Sequence, residues 1–184
     1  MDNNFGSTPK LIGNHGYANQ ELVNLLLTGF ATSNVFDGVK TFEDETEAQS
    51  GDKITMKGVG NRAEVGFLTL FEAYQSVEVG SNFKSPKFSV WIVCSESHYS
   101  CLFRPDQGEA EDDPDAPAID VYYYDPLGEQ EDEIKLTLNR DVDAADIPSN
   151  EDGDEHDLVP PIDKVVRTKW GKVAVDWNGA EPIL

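Results

Sequence analysis

Residues 87–103, KFSVWIVCSESHYSCLF, read as a β-hairpin, and the fold is read outward from them. Lys87 to Cys94 is nearly all apolar or β-branched, with Val90-Trp91-Ile92-Val93 at its centre, the composition of a strand covered on both faces. Ser95-Glu96-Ser97 interrupts it as a short polar turn. In the strand that follows, period-two alternation puts His98, Ser100 and Leu102 on one face and Tyr99, Cys101 and Phe103 on the other. The hairpin therefore carries one histidine at the start of a core strand.

Composition bounds the rest. A chain of 184 residues has room for one domain with a sizeable core. No apolar run approaches the ~18 residues of a membrane span. The opening MDNNFGSTPK has neither the basic nor the apolar region of a secretory signal. The only cysteines, Cys94 and Cys101, both fall on apolar strand sequence, which favours reduced thiols in a cytoplasmic or nuclear protein over a disulfide framework. Two cysteines and the scattered His15, His98 and His156 give no metal-ligand spacing, and no cofactor motif is present. The formal charge of −21, from 35 acidic and 14 basic residues, disfavours nucleic acid and anionic membrane as partners and favours a basic protein surface.

Along the chain, Leu11 to Asn19 is a glycine-containing lead-in. A helix starts at Asn19-Gln20-Glu21-Leu22, with Asn19 as its cap, apolar Leu22, Val23, Leu25 and Leu26, and Gly29 near its end. Residues 33–42 read as a turn between apolar anchors, and ITMKGV, after an acidic insertion at 43–53, as a short strand. The stripe Val65, Leu68, Leu70, Phe71 and Tyr74 predicts a second helix beginning after Asn61. Past the hairpin come a second acidic insertion at 105–118, strands at Ile119–Tyr124 and Glu133–Leu138, and a third insertion at 141–157. The last 25 residues, with Trp170 and Trp177, are too aromatic for a free tail. The class is α+β, with helices packed on an antiparallel sheet.

His98 has two readings: a hydrogen-bonded core residue, or the general base of a thiol hydrolase. Antiparallel pairing of His98–Arg104 with Ile119–Asp125 sets Arg104 against Ile119 and His98 against Asp125. That places a carboxylate beside the imidazole, where it fixes the tautomer. Asp125 reads equally well as the residue that opens the turn Asp125-Pro126-Leu127-Gly128. A nucleophile is missing. Cys94 ends an apolar strand instead of opening a helix, Cys101 points to the face opposite His98, and neither Ser97 nor Ser100 sits in a nucleophile elbow. Residues 150–154 lack the glycine and glutamate positions of a calcium loop, and Gly58-Val59-Gly60 has no P-loop lysine.

Five segments carry a resemblance: QELVNLLLTGFATSNVFDG (20–38), GFLTLFEAYQSVEVGSNFKSPKFSVWIVCSESHYSCLF (66–103), YYYDPL (122–127), IKLTL (134–138) and DLVPPIDKVVRTKWGKVAVDWNGAEPIL (157–184). In this order they resemble the C-terminal part of the catalytic domain of MINDY-family deubiquitinases, over residues 10 to 184. The resemblance implies a papain-like thiol protease fold, here partial, that removes ubiquitin from polyubiquitin and prefers the proteasome-targeting linkage. It implies ubiquitin as partner, with neither nucleic acid nor membrane involved. It also implies that His98, in the CSESH segment, is the proton acceptor. The family's cysteine and its oxyanion glutamine lie upstream of the matched segments and have no counterpart among these residues. The chain is thus expected to hold half of an active site: His98, tentatively Asp125, and no nucleophile. The competing expectations are a non-catalytic ubiquitin-binding module and a relic of a truncated paralogue that acts as an acidic interaction protein.

Overall fold

The computed structural model describes residues 10–43, 53–105, 115–143, 147 and 159–182. Most of each acidic insertion, residues 150–154 and His156 lie outside the described residues. Twelve elements are present among those described: α1 (Gln20–Thr28), β1 (Val39–Glu43), β2 (Lys53–Lys57), β3 (Gly66–Thr69), α2 (Leu70–Ala73), α3 (Ser81–Lys84), β4 (Val90–Ser95), β5 (His98–Phe103), β6 (Ala118–Tyr124), β7 (Ile134–Asn139), α4 (Pro161–Trp170) and β8 (Ala174–Asp176). The class is α+β, as expected.

β3 to β8 form one six-stranded sheet in sequence order, and β1 and β2 a separate two-stranded one. The large sheet is antiparallel from β4 onward, but β3 joins β4 in parallel, so it is mixed and not antiparallel throughout. The cause is the segment read as a second helix. Gly66 to Thr69 is a fully buried strand, and only Leu70–Ala73 turns helical, with the Thr69 hydroxyl accepting from Phe71 N–H at 3.2 Å. A short apolar run has the same pattern in a buried strand as in a core helix. The stretch from α2 through α3 then supplies the long connection that a parallel pair needs.

Each face of the sheet has its own core. On one, Leu68, Trp91, Val93, Leu102, Val121, Tyr123, Leu136 and Leu138 meet Ile162, Val165, Val166 and Trp170 of α4. On the other, Phe67, Ile92, Cys94 and Tyr99 meet Val23, Val35, Val59, Val79 and Phe83. The hairpin strand is therefore covered on both faces, as its composition predicts. The aromatic C-terminal segment is packed: Trp170 meets Trp91 edge-on at 5.3 Å, and Trp177 meets Tyr123 at 6.3 Å.

Smaller expectations shift. Asn19 occupies the cap position of α1, but its side-chain amide donates to Lys10 O instead of closing the helix. Leu26 is 76 % exposed, while the buried face of α1 is Val23 and Asn24, the latter tied to Thr32 O and Asn34 O. The turn read at 33–42 ends early, because β1 starts at Val39.

Gly66 has a steric reason to be glycine. A Cβ there would press into Phe83 O and the Trp91 indole, which itself donates to Lys84 O at 3.0 Å. Gly66→Ala should therefore lower stability by about 1–3 kcal/mol through overpacking, read as the urea midpoint of the chain. An unchanged midpoint would show that the β3–β4 contact yields without cost.

Candidate active site

His98 stands directly after a tight turn. Ser95 pairs with His98, and Glu96 between them adopts φ +56°, a left-handed conformation uncommon for a residue with a Cβ. This turn sets the imidazole at the end of the sheet, on the face shared with Val93, Trp91 and Leu102. The His98 side chain is 35 % exposed. It is anchored at one end and open to solvent at the other.

Its anchor is Asp125, whose Oδ2 lies 2.8 Å from His98 Nε2. The expected contact is present, but the expected register is not. Cys101 pairs with Tyr124, Leu102 with Tyr123 and Phe103 with Tyr122, two residues away from the register that sets His98 against Asp125. Continued one step, the observed register brings Asp125 opposite Ser100. Side chains alternate with a period of two, so a two-residue offset leaves Asp125 on the face of His98. The two then meet diagonally, within reach of long side chains on one sheet face.

Asp125 is 3 % exposed and makes both of the contacts weighed from the sequence. Oδ2 holds the imidazole, and Oδ1 accepts from Leu127 N–H at 2.9 Å, closing the turn that begins with Asp125-Pro126. Its backbone N–H donates to Gln130 Oε1 at 3.1 Å. Gln130 Nε2 in turn donates to Tyr123 O and to Asp132 O, both at 3.0 Å. Sequence reading passes over Gln130, because Glu129-Gln130-Glu131-Asp132 looks like one more solvated acidic stretch. Below Asp125, the Tyr123 ring rests on Trp177, whose indole N–H donates to the buried Asp163 Oδ1 of α4 at 3.0 Å. Burial raises the Asp163 carboxyl above its usual range, against the opposing pull of Trp177 and Arg167.

The carboxylate at Nε2 fixes the division of labour in the ring. Asp125 accepts the Nε2 proton, which leaves Nδ1 as the basic nitrogen of the neutral imidazole. No thiol of this sequence reaches it. Cys94 pairs with Tyr99 and Cys101 with Ile92, on the face opposite His98. Burial pushes both thiols up in pKa. The Tyr99 phenol, half-buried and hydrogen-bonded to Cys94, is pushed up to about 12. Cys94 and Tyr99 pack into the core on that face, while Cys101 is half-buried. Among the described residues, no group of three or more His, Cys, Asp and Glu side chains is placed to hold a metal ion.

Comparison with known proteins bears on this arrangement. A family model described as "Deubiquitinating enzyme MINDY-3/4, conserved domain" matches residues 1–179. The chain is 46 % identical over 177 residues to human "Probable ubiquitin carboxyl-terminal hydrolase MINDY-4", covering 96 % of this chain and 22 % of that protein. The Xenopus tropicalis protein of the same name is 46 % identical over 178 residues, with 97 % and 22 % covered. Human "Ubiquitin carboxyl-terminal hydrolase MINDY-3" is 43 % identical over 122 residues, 65 % of this chain and 25 % of that protein. The chain thus spans a quarter or less of the length of these relatives. No solved structure matches it. A match over nearly the whole chain, to a domain described by that chemistry, places this protein in the MINDY-3/4 family of deubiquitinating enzymes.

Proposed function

We propose that this chain is part of a papain-like catalytic domain that hydrolyses isopeptide bonds in polyubiquitin, with His98 as proton acceptor and Asp125 as its orienting carboxylate. The observation that carries the proposal is the 2.8 Å contact between His98 Nε2 and the buried Asp125, which supports Nδ1 as the ring nitrogen left for proton transfer. The nucleophilic thiol comes from outside these 184 residues, since Cys94 and Cys101 are turned to the opposite face. Chains with the proteasome-targeting linkage are the preferred substrate in this reading, and an intracellular compartment keeps both strand thiols reduced.

The chemistry follows from the ring. Nδ1 takes the thiol proton, and the thiolate attacks the isopeptide carbonyl to form a tetrahedral oxyanion. As the oxyanion collapses, the carbon–nitrogen bond breaks, and the imidazolium returns its proton to the departing lysine amine. A thioester to the ubiquitin C-terminus remains. Water, deprotonated by Nδ1, then attacks that thioester and releases the thiol and the ubiquitin carboxylate. Throughout, Asp125 holds the Nε2 proton and stabilises the imidazolium.

The position of the two thiols also favours a second reading, in which this stretch binds ubiquitin without turnover. The two readings separate by experiment. In the intact protein, His98→Ala should slow release of ubiquitin from a polyubiquitin chain by at least about 10²-fold. Asp125→Ala should lower kcat by roughly 10–10²-fold while ubiquitin affinity stays within about threefold. Ubiquitin binding by the intact protein with no turnover at any concentration would favour the binding module instead.

A second prediction concerns the two strand thiols. Cys94→Ala with Cys101→Ala should leave kcat of the intact protein within about twofold, because neither sulfur touches the imidazole. Total loss of turnover in a variant that still melts cooperatively would move the nucleophile into this chain.

A further inference from the structure

We infer that Gln130 is a positioning residue for the His98–Asp125 pair, an inference that rests on the reading of that pair given above. The observation is a gap in the sheet that one side chain fills. Pairing of β5 with β6 ends at Cys101–Tyr124, and pairing of β6 with β7 ends at Tyr123–Ile134. Beyond these rungs, among the described residues, the backbone of Asp125 has no partner strand. Continuing the β6–β7 register by two residues would set Asp132 against Asp125, and the Gln130 amide stands between them.

Gln130 Oε1 accepts the Asp125 N–H, while Nε2 donates to Tyr123 O and Asp132 O. One planar group thus supplies the acceptor and the donor that the next rung would have supplied. Only Asn and Gln combine both in a single side-chain amide, and Gln has the longer reach. The brace also closes the 125–132 loop from the outside, as Leu127 N–H closes it from the inside through Asp125 Oδ1. Gln130 touches neither His98 nor any reacting atom. It acts by fixing the main chain from which the Asp125 carboxylate projects.

Position matters at this precision. Displacing a catalytic group by ~1 Å costs up to ~10²-fold in rate. In the intact protein, Gln130→Ala should therefore lower kcat by about 10–10²-fold with KM within about threefold. Because the effect runs through Asp125, the same substitution in an Asp125→Ala background should cost less than about twofold more.

The readout independent of turnover is the His98 ring N–H proton in NMR spectra of the 184-residue chain. It should be protected from exchange in the parent and lost in both Asp125→Ala and Gln130→Ala, with the remaining amide spectrum retained. A ring proton that persists in Gln130→Ala would overturn the inference. So would rate losses that multiply in the double variant, or an unfolded Gln130→Ala chain, which would make the residue a prop of the sheet. Should Asp125→Ala leave turnover unchanged, the proposed reaction fails at that residue, and the ring-proton comparison still decides the role of Gln130.

Discussion

A buried carboxyl needs a partner for each of its oxygens, and at Asp125 that requirement ties a loop to a strand. One oxygen takes the Leu127 N–H, the other the His98 imidazole. Leaving either unpaired in a site this dry would cost on the order of 1–3 kcal/mol. The turn after β6 and the imidazole at the start of β5 are thereby fixed to each other. The imidazole is held in one orientation by that contact. It costs the protein little, because Asp125 is already committed to the turn.

The sheet does the rest by separating its two faces. His98 and Asp125 share the face packed against α4, where Tyr123, Trp177 and Asp163 form a continuous support beneath them. Cys94 and Cys101 share the other, where burial raises their thiols above the usual range. A thiol made harder to ionise and turned from the base is poorly suited to attack. The same alternation that builds two cores therefore keeps the strand thiols on the face away from the His98 imidazole.

What was legible in the sequence follows from which signals are local. The hairpin could be read because the β-branched run Val90 to Val93 is followed, after a polar turn, by period-two alternation from His98 to Phe103, which a helix would not produce. The two-residue error in pairing β5 with β6 did no harm to the site, since a shift of two preserves the face. A shift of one would have parted His98 from Asp125. Residues 65–74 misled because four buried residues in a strand, followed at once by a helical turn, imitate a helix stripe. The parallel pairing of β3 was hidden with them. Gln130 was illegible for a different reason. Its amide bonds Asp125, Tyr123 and Asp132 where, among the described residues, no partner strand continues beyond Tyr124, a fact of the folded sheet with no trace in Glu129-Gln130-Glu131-Asp132. Leu26 shows the limit of helical periodicity, for an apolar residue at the expected spacing stands in solvent.

The central claim is that Asp125 holds the proton on Nε2 of His98 and leaves Nδ1 as the base. Nitrogen-15 NMR of the His98 ring in the neutral imidazole tests it most directly, because the two nitrogens differ according to which bears hydrogen. The account predicts a protonated Nε2 and a bare Nδ1, with the preference relaxed in Asp125→Ala. A proton found on Nδ1 in the parent protein would contradict it, and would reduce the His98–Asp125 contact to a feature of the fold.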